Sequence, residues 1–345
     1  MPITVQWLMD FESRMQRIVE NEYLRLVASD NMWWDLITRV RPSGSKRELL
    51  AWILNTAYLV DQGQGGNIDF EEPVMIETEF TVAFAGKGLR LRRAQFEDLD
   101  GNGVDFATEW SAQMGAQHGY WPQRKIAELL KNGEIGTTYD GQPFFSTSHP
   151  NDGNKNGDTT YGTFSNLLVG AGYRIDSGVS LDQAAINLAA VYKAIRGLKM
   201  PNGKDPRLLR PAGILCGPSM GPRVSQLLDA KFLAIASAAG GGGSGDFSGY
   251  TSRMGYGKVT EAAELTEAEY DTSYYVVVEQ LGSSQLGGMV YVDREPFSIR
   301  YYTGRGGGVG VDAILDRSDM LEWHSSGRNV AGYGHPYLLF KVKAA

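Results

Sequence analysis

The sequence predicts an α+β fold. Three observations carry this. Apolar residues recur at helical spacing in the first forty residues and again after residue 103. Residues 74–84 (VMIETEFTVAF) alternate, which fits a strand. The C-terminal seventy residues are mainly strand-like segments with no regular β-α-β alternation.

Taken in order, Trp7, Phe11, Met15, Ile18, Leu26, Trp33 and Ile37 predict helix across 4–40, closed by RPSGS at 41–45. Residues 47–60 are apolar and fit either helix or strand, and QGQGGN (62–67) reads as a loop. Residues 74–84 and 89–96 (LRLRRAQF), joined at AGKG (85–88), predict a charged β-hairpin. After the polar turn 98–103 a long helix is expected over 104–131, carrying Phe106, Trp110, Met114, Ile126, Leu129 and Leu130, with a kink at Pro122 and a stop at Asn132-Gly133. Residues 134–166 are turn-rich. Residues 180–198 read as a helix capped by Ser180, with Asp182 in its first turn. A short buried strand is expected at 211–218 and a helix at 223–239. Strands are expected at 274–280, 288–302, 311–325 and 336–344.

Composition narrows the function. The chain has 345 residues, 42% of them apolar before glycine is counted, enough for a sizeable core and roughly two domains. Its 33 bases against 40 acids give −7, which argues against a protein built to grip nucleic acid. The single cysteine, Cys216, excludes an intramolecular disulfide and a Cys-rich zinc site. It sits in an apolar strand and reads as an inert buried thiol. No apolar run long enough to span a membrane is present. Asp10, Glu12 and Arg14 interrupt the first twenty residues, which do not read as a signal peptide, so a cytoplasmic origin is expected. Glycine is in excess, 43 residues against an average near 7%. It clusters as GQGG (63–66), GGGGSG (240–245) and GRGGGVG (304–310).

Few motifs suggest chemistry. Asp98, Asp100, Asn102, Gly103 and Glu109 fit the D-x-D-x-N-G-x5-E spacing of a calcium loop. The segment before them reads as a strand rather than an entering helix, and a polar turn capping the long helix is the plainer reading. GGGGSG contains G-x-G-x-x-G without its strand–turn–helix setting. His149, in STSHP beside Asp152, is the one place for a hydrolase reading, against packing as the plainer role. Arg90, Arg92 and Arg93, followed by Glu97 and Asp98, read as an ion-pairing face. No catalytic, cofactor-binding or metal site is predicted. A large core carrying long glycine-bearing and charged protrusions suits a protein that assembles.

Three segments resemble a known family. Residues 125–152 carry Leu130, Asn132, Gly133, Tyr139, Asp140, Gly141, Phe144, Phe145, Thr147, His149 and Pro150 in the pattern L-x-N-G, then Y-D-G-x-x-F-F-x-T-x-H-P. Residues 80–101 are similar to a hairpin leading into an acidic turn, with Phe96, Glu97 and Asp98 in corresponding places. Residues 328–342 resemble a closing R-x-x-x-G-Y-G strand pair. Together these resemble the major head (capsid) subunits of Mu-like tailed bacteriophages (gpT-like). The chain departs at FSTSHP, where the family more often has an acid before the histidine, and at GNG-VD, which lacks a second acid.

The resemblance implies the Hong Kong 97-type capsid fold. It places an N-terminal arm at 1–48, an extended hairpin (E-loop) at 49–97, and a peripheral domain at 98–180 with a spine helix at 103–132. An axial domain follows at 181–300, with return strands at 301–345. The implied function is a structural protein, not an enzyme. It self-assembles into pentamers and hexamers of an icosahedral head around double-stranded DNA held without sequence-specific contacts, and does not involve a membrane. Assembly would occur in the bacterial host cytoplasm and the product would be the virion. Portal, scaffold and decoration proteins are the implied partners. Subunit-interface candidates are Glu71, Glu72, Glu77, Glu79, Lys87, Arg90, Arg92 and Arg93 of the E-loop, where complementary charge sets register. Gly240, Gly243 and Asp246 are candidates in an axial loop near the capsomer centre. An encapsulin-like shell with enzyme cargo is the alternative, and a calcium-binding protein using 98–109 a further one.

Overall fold

The computed structural model describes residues 5–29, 32–53, 75–92, 102–151, 162–200, 205–229, 232–236, 242–246, 255–280, 287–301 and 320–344. The chain opens with helix α1 (Val5–Val27), a 3-10 turn (Trp34–Leu36) and strands β1 (Thr38–Pro42), β2 (Arg47–Ile53), β3 (Met75–Thr81) and β4 (Ala83–Arg92). The long helix α2 (Asn102–Lys131) follows. Then come β5 (His149–Pro150), β6 (Thr163–Phe164), β7 (Leu167–Val169), α3 (Leu181–Arg196), β8 (Leu209–Cys216), α4 (Gly221–Asp229), β9 (Phe232–Ala236) and β10 (Gly242–Asp246). The last strands are β11 (Val259–Glu261), β12 (Tyr274–Gln280), β13 (Met289–Tyr301), β14 (Met320–Tyr333) and β15 (Leu339–Lys343).

Two sheets organise these elements. One has the order β11-β8-β12-β15-β7. Its centre, β12, reads YYVVV because both faces are covered. Tyr274, Val276 and Val278 join Ile214, Phe340 and Val342 in a core shared with Leu188, Val191 and Ile195 of α3. Tyr275 and Val277, on the opposite face, join Leu215 and Leu339 against Ile126 and Leu130 of α2. The second sheet has the order β1-β13-β14-β4. Leu89, Ile299, Leu321 and Trp323 on this sheet pack against Phe11, Met15 and Val19 of α1 and Ala107 of α2. The spine helix α2 thus runs past both cores and ties them together.

The long helix, the α3 cap and most strands match the sequence expectation. Ser180 accepts from the Gln183 amide at 3.2 Å, as its capping role required. Three expectations need correction. The N-terminal helix does not reach residue 40. It ends at Val27, where the Ser29 hydroxyl donates to the Leu26 carbonyl, and 38–42 is strand β1, parallel to β13. Residues 74–84 and 89–96 do not form a hairpin with each other. AGKG lies inside β4, because Ala85–Gly88 pair with His324–Gly327 of β14, and tertiary pairing overrides the turn propensity. The observed ribbon is instead β2 with β3, antiparallel from Arg47↔Thr81 to Ile53↔Met75. The helix expected over 223–239 ends at Asp229, and 232–236 is a strand paired with 242–246, so part of the GGGGSG run is ordered as β10.

Candidate functional site

The Y-D-G-x-x-F-F-x-T-x-H-P segment is a tight loop that closes on itself after the spine helix. Gly133 and Gly136 amides return to the helix end at Leu130 and Asn132, and the Phe144 and Phe145 amides bond to the Gly136 and Gly133 carbonyls at 2.8 Å. These bonds drive both phenylalanine rings into the core, where they are 0% and 1% exposed. Asp140 caps the turn with one oxygen, accepting from the Gln142 amide at 3.0 Å. Gly141 follows with φ +79°, a conformation that strains any residue with a Cβ.

The other Asp140 oxygen lies 2.6 Å from His149 Nδ1. His149 Nε2 lies 3.2 Å from both the Phe144 carbonyl and Asn166 Oδ1. The Asn166 amide is oriented by its donations to the Phe144 and Pro336 carbonyls at 2.7 and 2.9 Å. Each His149 nitrogen therefore faces an acceptor, and the ring bridges the Asp140 turn to the Phe144 carbonyl and Asn166. No hydroxyl bonds to this ring among the described residues, and the ring is fully buried. The arrangement ties a loop together and offers no nucleophile to activate. The hydrolase reading at His149 thus gains no support among the described residues, and Asp152 lies outside them.

A second polar knot locks the C-terminal strand beneath the same loop. Lys341, 1% exposed, places Nζ 2.8 Å from Glu134 and 2.5 Å from Glu269. Lys343 reaches the other Glu134 oxygen at 2.5 Å. Burial opposes the Lys341 charge, but the hydrogen bonds to Glu134 and Glu269 outweigh it and hold the ammonium above its ordinary range. Burial likewise opposes the Glu134 charge, and the two lysines outweigh it, so that carboxyl sits below its ordinary range. The sequence reading missed this knot. Its one visible signal was a lysine alternating with apolar residues in LLFKVK.

The interface candidates sit on the β2–β3 ribbon and on β4. Phe80 and Val82 anchor the ribbon's base to Val290 and Val292 of the second sheet. Phe80 fits only because residue 332 is glycine: a Cβ there would stand 1.9 Å from the ring. Beyond this anchor Glu77 and Glu79 point out, both exposed, and Glu79 pairs with Arg47 at 3.2 Å. On β4, Lys87, Arg90 and Arg92 are exposed, and Arg90 pairs with Glu322 of β14 at 2.5 Å. The structure thus sets an acidic ribbon and a basic edge strand on one chain. Gly243 and Asp246 lie on β10. Glu71, Glu72, Arg93 and Gly240 lie outside the described residues, as do the glycine runs 63–66 and 304–310.

Cys216 is buried and free, its thiol pushed up to about 12 by burial, then by Glu261, which fits an inert role. The calcium reading loses its geometry. Asn102 to Glu109 are helical, so these two would-be ligands stand about 10 Å apart along the helix axis. Asp98 and Asp100 lie outside the described residues. Among the described residues no group of acidic, histidine or cysteine side chains could hold a metal ion, and no helix is long and apolar enough to cross a membrane.

Comparison with known proteins agrees with the resemblance. The family model of the Mu-like prophage major head subunit gpT matches residues 14–176, which run from within α1 through the ribbon and the spine helix to beyond the His149 loop. No curated protein matches the sequence. Among solved structures, the capsid of cyanophage P-SCSP1u is 12% identical, with a TM-score of 0.52, covering 91% of this chain and 88% of that one. The procapsid of bacteriophage JBD30 is 15% identical, with a TM-score of 0.46, covering 99% of this chain and 76% of that one. The holo-SrpI encapsulin complex from Synechococcus elongatus PCC 7942 is 11% identical, with a TM-score of 0.46, covering 92% and 88%. The fold is the Hong Kong 97-type capsid fold, and over residues 14–176 the chain matches the Mu-like major head subunits that its sequence resembles.

Proposed function

We propose that this chain is a major capsid protein that self-assembles into the pentamers and hexamers of an icosahedral phage head enclosing double-stranded DNA. The observation that carries this reading is the family match over residues 14–176. The role is structural. Its chemistry is the sum of many subunit contacts, each modest, that together hold a shell. Residues 1–48 serve as the arm, 49–97 as the E-loop and 98–180 as the peripheral domain. Residues 181–300 form the axial domain, and 301–345 return to the peripheral sheet.

In this reading Glu71, Glu72, Glu77 and Glu79 on one subunit and Lys87, Arg90, Arg92 and Arg93 on its neighbours set the register between copies. Gly240, Gly243 and Asp246 lie toward the capsomer centre. Portal, scaffold and decoration proteins complete the head, which assembles in the host cytoplasm. The −7 charge is compatible with DNA held by confinement and counterions rather than by a basic wall.

The test is negative-stain microscopy of the purified chain, with nuclease-protected DNA measured on particles taken from producing cells. Uniform shells or capsomers, with DNA inside, are expected. A discrete monomer at all concentrations overturns the reading. Shells holding an enzyme and no DNA replace it with an encapsulin-like compartment.

A further inference from the structure

Beneath the first helix lies a cavity of about 520 Å³, walled by α1, α2 and β13. Its size suits a small ligand. Trp34, Tyr291 and Phe297 supply aromatic surface, with Trp34 and Tyr291 at 5.6 Å between ring centroids. Glu20, Tyr23 and Asp293 supply oxygens. Among the described residues no lysine or arginine lines it. His118 also borders it, stacked on Phe297 at 4.6 Å, and burial lowers its pKa to about 4, so it brings no positive charge at neutral pH.

We propose that this cavity binds the ammonium group of a small aliphatic amine, of the diamine or polyamine class, between the Asp293 carboxylate and the Trp34–Tyr291 wall. Asp293 is partly buried on β13, and no cation or donor pairs with its side chain among the described residues. A carboxylate so placed has lost hydration without gaining a partner. Burial alone raises its pKa, the direction that an incoming cation reverses. Aromatic faces attract an alkylammonium in the same space, and its methylenes cover apolar wall. Glu20 at the exposed rim, hydrogen-bonded to Gln16 at 3.0 Å, fits the second ammonium of a diamine. A hydrated divalent metal would gain nothing from the aromatic wall.

The test is calorimetric titration of the full chain with putrescine at fixed ionic strength, which reads binding whether or not shells form. Saturable binding at one site per chain is expected. n-Butylamine should compete, and magnesium at equal ionic strength should not. Asp293→Asn should weaken binding at least tenfold. Glu20→Gln, at an exposed position that leaves the fold intact, should weaken putrescine several-fold while leaving butylamine unchanged. The absence of saturable binding, equal competition by magnesium, or full affinity in both variants would each overturn the proposal.

Discussion

Asp140 and His149 meet at 2.6 Å with side chains 1% and 0% exposed, nine residues apart in a loop that has almost no regular structure. The pair replaces the secondary structure that the loop lacks. One Asp140 oxygen fixes the Gly141 turn and the other fixes the histidine, whose far side reaches the carbonyl of core residue Phe144. Removing one partner strands the other in a dry site without its hydrogen bond, a cost of about 1–3 kcal/mol. Asp140→Asn should therefore lower the unfolding free energy by about 1–3 kcal/mol, read by urea titration. His149→Ala should cost as much or more, because it also removes a fully buried ring and leaves Asp140 buried without that hydrogen bond. A loss under 1 kcal/mol in both would show that the loop does not depend on the pair.

The Lys341 knot gives the fold a pH window. The lysine is held above its unfolded value, about 10.4, so its contribution is complete below that pH and fades as pH rises through the folded value. Glu134 is held below its unfolded value, about 4.3, so its contribution is complete above that pH and fades as pH falls. Stability from the knot should form a plateau between about pH 5 and 10. Lys341→Met keeps the stem volume, and Glu134 keeps Lys343, so the expected loss on the plateau is about 2 kcal/mol. The gap between wild type and Lys341→Met should narrow as pH drops below about 4. Urea midpoints from pH 3 to 10 measure it, and a gap constant across that range would refute the assignment.

Within the ribbon's apolar anchor the Phe80 ring lies directly against the backbone at Gly332. Gly332→Ala forces that ring to move and should cost about 1–3 kcal/mol. Phe80→Leu in the same chain should recover part of the loss, because the shorter side chain vacates the space. A double-mutant cycle measures the coupling. Additive losses would mean that the ribbon settles elsewhere without strain.

The helices and buried strands were legible because their patterns are local. α2 and α3 announce themselves through spacing, caps and the Asn132-Gly133 stop, and β12 through an unbroken apolar run. The errors at 38–42 and at AGKG have a common cause, which is pairing between distant segments. AGKG has turn residues, yet its partners lie 236 to 242 residues away in the register Ala85↔Gly327 to Gly88↔His324, and no local rule sees them. The same holds for β2 and β3, whose partnership skips 54–74, and for Thr38–Pro42, drawn into a strand by β13. The His149 loop was legible only through its resemblance to a family. From residues alone His149 looked like any loop histidine, and nothing local pointed to Asp140, its carboxylate partner among the described residues.

Charge on the ribbon and on β4 should govern assembly more than folding. Glu77 and Glu79 are exposed, and the Glu79–Arg47 pair is exposed at both ends, a setting worth at most about 1 kcal/mol to the fold. Glu77→Lys with Glu79→Lys should leave the unfolding midpoint of the subunit nearly unchanged. It should slow shell formation strongly, because like charges then face the basic strand of a neighbour. The defect should shrink as salt is raised from about 0.05 to 0.5 M, where the screening length falls below the reach of these side chains. Adding Lys87→Glu should restore at least half of the lost rate, since acid and base have merely exchanged sides. Light scattering against time reads all three. If the double reversal assembles at the wild-type rate in low salt, the ribbon charges do not lie at the subunit interface.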